Sequence, residues 1–308
     1  MIGRLYINEV APRDGLQMES RFVETDAKIA FIDALSACGF AKIEATSFTS
    51  PRAIPALADA EAVMRGIRRA PGVVYTALVP NLRGMERAIE SGVDELNLVM
   101  SCSESHNRAN LRMSRGQSLS TLLDIVRAAA SAGVRCNVSL STAFGCPFEG
   151  AVAPDEVARL AGVLVEGGAD GITLCDTTGM ADPAQVRRLV WRLQTVLAAS
   201  RLTIHLHDTR GLALANALAA LEAGVARFDA SCAGLGGCPY APGASGNVGT
   251  ETLVHLFECL GRATGVDLER LLAVARTVPA LVGREVASPL VLAGPRSRLH
   301  PMPATAGP

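Results

Sequence analysis

Two histidines one residue apart are the strongest chemical signal in the sequence. They lie in the run His205-Leu206-His207-Asp208, at the end of a strand-like segment, and they are 2 of the 5 histidines in the chain. Side chains two residues apart on a strand point to the same side, so both imidazoles would face one place. A hydrogen-bonded pair in the core is the other interpretation, but imidazoles at the end of a strand favour a metal site.

Arg13 and Asp14 follow the first strand-like run and offer a cation beside a carboxylate. In a closed barrel the first strand neighbours the eighth, and the seventh is one further, so Asp14 could join the two histidines as an oxygen ligand. Arg13 would then present a fixed positive charge to a developing oxyanion. A surface salt bridge, or an aspartate that serves the turn before Gly15, is the alternative.

The segment 234–247 is rich in glycine and proline, which make up 7 of its 14 residues. No Gly-Lys-Ser/Thr follows, which excludes a P-loop. We interpret the segment as a mobile lid that delivers the thiol of Cys238, a group able to exchange protons or to act as a nucleophile. Asn247, at its end, could offer a side-chain oxygen to a metal or could be the N-cap of the next helix.

Two acids end strand-like apolar runs. Glu44 lies in Ile43-Glu44-Ala45, and Asp176 follows Cys175. A carboxylate in apolar surroundings needs a partner. Each is either a structural hydrogen-bond anchor or an active-site carboxylate, and the residues alone leave both possibilities open.

The candidate metal ligands share a preference for hard cations. They offer two nitrogens, two oxygens and no thiolate, which argues against a structural zinc site. A divalent ion such as Mg²⁺ or Mn²⁺, with two positions left for substrate oxygens, fits the set better. A substrate that chelates such an ion would carry an alcohol or keto oxygen beside a carboxylate. The ligands in this prediction are Asp14, His205, His207 and Asn247.

One pattern recurs along the chain: a helix-like stretch ends in glycine and a short β-rich run follows. The glycines suit left-handed helix ends, and the nearly continuous apolar runs suit strands buried on both faces. No GxGxxG turn follows the first run, which disfavours an open doubly wound sheet. Eight alternating units predict an α/β fold, a (β/α)₈ TIM barrel with extra C-terminal helices, whose active site lies at the carboxyl ends of the strands. The predicted strands are 5–10, 41–46, 73–79, 93–100, 135–141, 171–177, 202–208 and 227–233.

The chain reads as a single domain. The barrel covers about 5–262, a helical extension about 263–293, and a loose tail 294–308. Between the first two strands, the apolar spacing predicts a helix from Thr25 to Ser36 with Thr25 as its N-cap. The spacing also predicts a helix from Pro183 to Ala199.

Composition excludes several classes of protein. The net charge is -1, so nothing favours nucleic acid or an anionic membrane as a partner. There is no apolar run of about 18 residues, and the N-terminus does not resemble a signal peptide. The 8 cysteines form no CxxC pair. This predicts a protein of the reducing cytoplasm.

The motifs together resemble the 3-hydroxy-3-methylglutaryl-CoA lyase family. The resemblance runs from about residue 5 to about residue 275, and the glycine-rich segment is its most specific part. The Arg-Asp start is shared more widely, by metal-dependent carbon–carbon lyases and Claisen synthases on this barrel. The segments that carry the resemblance are 9–17, 44–48, 205–208 and 233–251.

The resemblance implies a retro-Claisen cleavage that yields acetyl-CoA and acetoacetate. It also implies that the protein is a homodimer. Asp14, His205, His207 and Asn247 would hold the ion, Arg13 would stabilise the thioester enolate, and Cys238 would transfer a proton. Glu44, Asp176 and Glu251 would support the site. The expected catalytic residues are Arg13, Cys238, Glu44, Asp176 and His205. The residues expected to contact the acyl-CoA substrate are Arg13, Gln17 and Ser47.

Two departures from the family pattern keep other substrates open. Arg210 stands where the family usually has tyrosine, and Ser139-Leu140-Ser141-Thr142 stands where it tends to have Tyr-Val-Ser-Cys. A differently shaped acyl-CoA, such as citramalyl-CoA, is therefore one alternative. A Claisen-type acyltransferase resembling isopropylmalate synthase and a non-catalytic barrel are the others, although only about 45 residues follow the last matched helix.

Overall fold

Eight parallel strands form a closed barrel in the order of the sequence, with β1 paired to β8. The computed structural model describes residues 3–237, 246–286, 288–299 and 301. This architecture confirms the predicted (β/α)₈ barrel. The strands are β1 (Tyr6–Glu9), β2 (Lys42–Ser47), β3 (Val74–Leu78), β4 (Glu95–Ser101), β5 (Arg135–Ser141), β6 (Gly171–Asp176), β7 (Leu202–Leu206) and β8 (Arg227–Ala230).

Helices surround the barrel, and the last three form the C-terminal extension. Glycines end several of them as predicted; Gly39 and Gly92, for example, have φ of +89° and +77°. The helices in the described residues are α1 (Thr25–Ser36), α2 (Ala60–Gly66), α3 (Leu82–Glu90), α4 (Glu104–Leu111), α5 (Arg115–Ser131), α6 (Pro154–Glu166), α7 (Pro183–Leu193), α8 (Ala213–Glu222), α9 (Thr250–Cys259), α10 (Leu268–Ala275), α11 (Val278–Val282) and α12 (Pro289–Ala293).

Two local predictions about the helices were wrong. Thr25 is the first residue of α1 rather than its N-cap, and its hydroxyl donates to the Asp59 carboxylate at 2.8 Å. The hydroxyl that an N-cap residue would use is therefore bonded to Asp59, a residue of the next βα unit. The helix that begins at Pro183 ends at Leu193, short of the predicted end.

The two faces of each strand meet different surroundings. In β7, Leu202, Ile204 and Leu206 belong to the hydrophobic core between barrel and helices. Thr203 and His205 alternate with them and line cavities inside the barrel. The alternation follows from the period of two along a strand.

The barrel interior is unusually polar for this fold, which commonly fills its centre with apolar layers. A cavity of about 20 Å³ lies inside the barrel, and polar groups dominate its wall. Lys42 pairs there with Glu95. The wall consists of Asn8, Val10, Lys42, Glu44, Thr76, Glu95, Asn97, Asn137, Thr173, Thr203 and Asp229.

Over the part of the chain that the structure describes, no helix has both the length and the hydropathy needed to cross a bilayer.

The packing of α9 onto β8 yields a stability prediction. Phe257 of α9 and Phe228 of β8 are both fully buried, with ring centroids 4.8 Å apart. We expect Phe257→Ala to lower the free energy of unfolding by about 3–5 kcal/mol, because it removes a large buried side chain and leaves a cavity. Urea denaturation measures the change. Leu260→Ala is the control, at an exposed leucine directly after the same helix, and should cost less than about 1 kcal/mol. Equal losses would contradict the assignment of Phe257 to the core.

Candidate metal centre

A π-helical turn directly after β1 positions the first two site residues. It spans Ala11–Gly15, and the amides of Arg13, Asp14 and Gly15 all donate to the Val10 carbonyl, at 3.1, 2.7 and 3.4 Å. Turns of this kind are rare and occur often at functional sites. This turn places the side chain of Asp14 beside the end of β7.

Asp14, His205 and His207 converge as the sequence indicated. Each offers one ligand atom, and these atoms all lie within 4.8 Å of one another. The Nε2 atoms of the two histidines are 3.2 Å apart. Oδ2 of Asp14 lies 3.8 Å from Nε2 of His205 and 3.9 Å from Nε2 of His207. The imidazoles face one place because they are two residues apart at the end of a strand.

Asn247 joins this group from the segment that returns after β8. A backbone bridge pairs it with His207, and its Nδ2 donates to Oδ2 of Asp14 at 2.8 Å and to the Leu235 carbonyl at 3.0 Å. Its Oδ1 is buried and has no hydrogen-bond partner among the described residues. The N-cap alternative was wrong, because Gly249 occupies that position before α9.

Gly236 permits the close approach of Asn247 to the centre. Its φ is +118°, and a Cβ at this position would lie 2.6 Å from Nδ2 of Asn247. Any other residue would therefore be strained and would also displace the amide.

Electrostatics keep Asp14 ionised. Burial would raise the pKa of its carboxyl, but Arg13 and the two histidines outweigh burial and hold the pKa well below its usual range. Burial would likewise lower the pKa of His205, and Asp229 and Asp14 outweigh it, so that pKa is raised.

The donor set suits a divalent cation. It combines two imidazole nitrogens, a carboxylate that stays charged and an amide oxygen that lacks a partner in the described chain. Such groups bind metal ions well when they converge, and a buried amide oxygen without a partner is otherwise costly. The residues present therefore fit the metal site predicted from the sequence.

Glu44 holds Arg13 in place. Its Oε2 accepts from Nε of Arg13 at 2.6 Å, and its Oε1 accepts from Nδ2 of Asn97 at 2.7 Å. Arg13 also donates to Oδ1 of Asp14 at 2.5 Å. Burial would lower the pKa of Arg13, but the two carboxylates raise it above its usual value, so the guanidinium remains charged.

Asp176 anchors the loop after β6. Its carboxylate accepts from the amides of Met180 at 2.7 Å and Ala181 at 3.1 Å, and its backbone carbonyl accepts from the amide of His207 at 3.3 Å. Burial raises the pKa of Asp176 to about 6. The structure therefore shows the hydrogen-bond anchor that the sequence offered as one interpretation, and a role as an active-site carboxylate stays a prediction.

A cavity of about 1200 Å³ opens over the centre. Gln17 lines it, as expected for a substrate contact, whereas Ser47 lies beneath the wall with its Oγ bonded to Oγ1 of Thr49 at 2.8 Å. Sequence reasoning missed several polar residues of the wall, because nothing in their local pattern marks them: Asn97, His106, Cys175 and Thr177. Ser139 and Ser141, which the sequence marked only as part of a departure from the family pattern, also line the wall.

The start of the glycine-rich segment is held by two buried acids. Glu9 accepts from the amides of Ala11 at 2.8 Å and Cys232 at 2.9 Å. Glu251 accepts from the amide of Ala233 at 3.1 Å and from the hydroxyl of Ser288 at 2.5 Å. Cys238, the predicted catalytic thiol, lies outside the described residues.

Arg210 is turned toward the loop after β6. Its Nη1 donates to the carbonyls of Thr178 at 3.0 Å and Gly179 at 2.8 Å, and it is not part of the wall of the large cavity.

Asp229 is a further acid that the sequence did not single out. Its Oδ2 lies 3.3 Å from Nδ1 of His205, and its Oδ1 accepts from Nδ2 of Asn8 at 2.8 Å. The available signal was the one that marked Glu44, an acid within a strand-like run.

Comparisons with known proteins identify one family of relatives. Residues 4–278 match the HMGL-like family model. The chain is 46% identical to hydroxymethylglutaryl-CoA lyase YngG of Bacillus subtilis over 92% of this chain and 95% of that protein. It is 41% identical to the mitochondrial hydroxymethylglutaryl-CoA lyase of Homo sapiens over 92% and 88% of the two chains. Among solved structures, an HMG-CoA lyase from Acinetobacter baumannii in complex with coenzyme A and 3-methylmalate has a TM-score of 0.94 and 49% identity, covering 97% of this chain and 98% of that one.

Glu9 generates a prediction about pH. Burial raises the pKa of its carboxyl to about 8, although the hydrogen bonds that the carboxyl accepts lower it. Since an unfolded glutamate has its pKa near 4.5, the folded chain retains a proton that the unfolded chain releases between these values, and stability should fall as pH rises through this window. Glu9→Gln resembles the protonated carboxyl, because its oxygen can accept from both amides and its nitrogen can donate to Oγ1 of Thr250. Urea denaturation at pH 5 to 9 should show the variant gaining stability relative to the wild type with rising pH; a constant difference would contradict the raised pKa.

Proposed function

The chain belongs to the HMGL-like family, and from this membership and its site we propose that it is a carbon–carbon lyase that cleaves 3-hydroxy-3-methylglutaryl-CoA to acetyl-CoA and acetoacetate. The observation that carries the proposal is the convergence of Asp14, His205 and His207 with Oδ1 of Asn247, which has no partner among the described residues, beneath a cavity large enough for an acyl-CoA. Hydroxymethylglutaryl-CoA lyases similar to this chain over most of its length support the choice of substrate.

Asp14, His205, His207 and Asn247 would hold a divalent ion, Mg²⁺ or Mn²⁺. When bound, the ion would polarise the tertiary hydroxyl and carboxylate oxygens of the substrate and so favour loss of the hydroxyl proton. Oxygen ligands from Asp14 and Asn247, and the lack of a thiolate in the set, support a hard cation over a soft one.

Arg13 would stabilise the charge that develops during cleavage. The hydroxyl proton passes to water and the bond between C2 and C3 breaks. C3 becomes the ketone carbon of acetoacetate, and the electron pair of the broken bond moves onto the thioester as an enolate. A permanently charged guanidinium that is already oriented by Glu44 and Asp14 needs no rearrangement to meet this charge.

Cys238 would complete the reaction by delivering a proton to C2 of the enolate, giving acetyl-CoA. Its place in the sequence supports this role, since the segment that contains it begins next to Ala233, bound by Glu251, and returns at Asn247, in the metal centre. Glu251 would hold the start of this segment, and Asp176 would hold the loop beside His207.

Substrate binding by Arg13, Gln17 and Ser47 belongs to the same proposal. Gln17 lines the cavity and Arg13 faces the metal centre, whereas Ser47 would act through Thr49, which also lines the cavity. A cytoplasmic homodimer, with the chain as a single domain, completes the proposal and is supported by the resemblance and by the cysteine pattern.

The principal test is a substrate panel with the purified protein. We expect acetyl-CoA and acetoacetate from 3-hydroxy-3-methylglutaryl-CoA, identified by mass spectrometry, with activity lost by at least about 100-fold after removal of divalent ions and restored by Mg²⁺ or Mn²⁺. Asp14→Asn is the control for metal dependence and should not be restored.

Other results of the panel would redirect the proposal. Faster cleavage of citramalyl-CoA to acetyl-CoA and pyruvate would favour the alternative lyase, although Arg210, on which that alternative partly rested, is bonded to Thr178 and Gly179. Free CoA released from acetyl-CoA and a 2-oxo acid would indicate a Claisen synthase. No turnover of any thioester, with no bound divalent ion, would favour a non-catalytic barrel.

The role of the thiol has its own prediction. Cys238→Ala should lower kcat by about 10²–10⁴-fold, the usual range for a lost proton-transfer group, and leave the affinity for Mn²⁺ unchanged. Cys259→Ala, at an exposed cysteine, is the matched control and should keep the wild-type rate. Full turnover by the Cys238 variant would remove the thiol from the mechanism.

A further inference from the structure

Three residues lie at one level of the barrel on three adjacent strands. Asn8 of β1 is in register with Asp229 of β8, and Asp229 is in register with His205 of β7. All three side chains point into the barrel, and the side chains of Asn8 and His205 are buried.

Hydrogen bonds connect these side chains in a single row. Nδ2 of Asn8 donates to Oδ1 of Asp229 at 2.8 Å, and Nδ1 of His205 lies 3.3 Å from Oδ2 of the same carboxylate. Asp229 is therefore held from both sides, by Asn8 of the first strand and by His205 of the seventh.

The contact with Asp229 decides which nitrogen of His205 faces the metal centre. A carboxylate accepts hydrogen bonds, so it favours the tautomer with the proton on Nδ1. Nε2 then has a free lone pair and points toward Nε2 of His207, 3.2 Å away. Without the carboxylate, the ring could turn about its χ2 bond or adopt the other tautomer, and both changes remove the lone pair from the centre.

We propose that Asp229 is a positioning residue that orients His205 for metal binding, and that Asn8 braces Asp229 in this role. A carboxylate behind a ligating histidine fixes the ring and makes the ligand more basic, and loss of such a group typically weakens metal binding by 10–100-fold. The consequence for catalysis rests on the proposed function, but the consequence for metal affinity can be measured without any substrate.

A purely structural role for Asp229 predicts a different outcome. The acid could serve only to satisfy the polar interior of the barrel, as Glu95 does, which is buried on β4 and paired with Lys42. Replacing either acid would then change stability alone. Glu95→Gln is accordingly the matched control, because it alters a buried acid of the barrel interior that is not bonded to a metal-site residue.

The test measures the Mn²⁺ dissociation constant of the purified full chain by electron paramagnetic resonance, for the wild type and for Asp229→Ala, Asp229→Asn and Glu95→Gln. We expect Asp229→Ala to bind about 100-fold more weakly and Asp229→Asn about 10-fold more weakly. The amide is isosteric but uncharged, and Asn8 can turn its Oδ1, unpartnered in the described residues, to accept from it. Glu95→Gln should bind within about 2-fold of the wild type.

Kinetics supply a second readout. Asp229→Asn should recover kcat at saturating Mn²⁺ while needing more of the ion, whereas the KM for the thioester should change little. Wild-type affinity in folded Asp229→Asn, or equal losses in the Asp229 and Glu95 variants, would overturn the inference. If Asp229→Ala does not fold, Asp229→Asn decides. A wild type that binds no Mn²⁺ would instead count against the proposed function, so the two failures are distinguishable.

Discussion

The carboxylate of Asp14 is the junction on which the site depends. Its Oδ1 accepts from Arg13 and its Oδ2 accepts from Asn247, while both histidine Nε2 atoms lie within 4 Å of it. One buried anion thus connects the turn after β1, the end of β7 and the segment that follows β8. Because an isolated buried charge is very costly, these partners must be in place for the chain to adopt this arrangement.

A chain of hydrogen bonds in the barrel interior also supports the centre. Arg13 is held by Glu44, which is held by Asn97, and Asn97 in turn accepts from Ser139 at 2.9 Å and from Asn137 at 3.1 Å. Buried polar networks are stable only when nearly every member is satisfied, and in that state they are rigid. The polar interior therefore holds the guanidinium of Arg13 in one orientation. The stability of the fold comes from the apolar outer faces of the strands, which pack beneath the helices.

The helices outside the barrel also contribute to the site. Ser288, the N-cap of α12, donates to Glu251, which accepts from the amide of Ala233 at the start of the glycine-rich segment. Glu9 bonds the neighbouring amide of Cys232. The C-terminal extension is thus connected through two hydrogen bonds to Ala233, the residue directly before the glycine-rich segment.

The amino-acid sequence by itself determined the fold class and the convergence of Asp14, His205 and His207. Eight apolar runs that alternate with helical spacing specify the barrel, and two histidines at positions i and i+2 specify a shared face, because both features depend on local periodicity. Tertiary structure decided how each acid is used: Glu44 orients Arg13, Asp176 binds the amides of its own loop, and Asp229 lies behind His205. It also decided that the hydroxyl of Thr25 donates to Asp59 and does not cap a helix. Hydrogen bonds act over about 3 Å in space between groups that can be far apart in the chain, so residue types and spacing predict that a buried acid needs a partner but not which partner it finds.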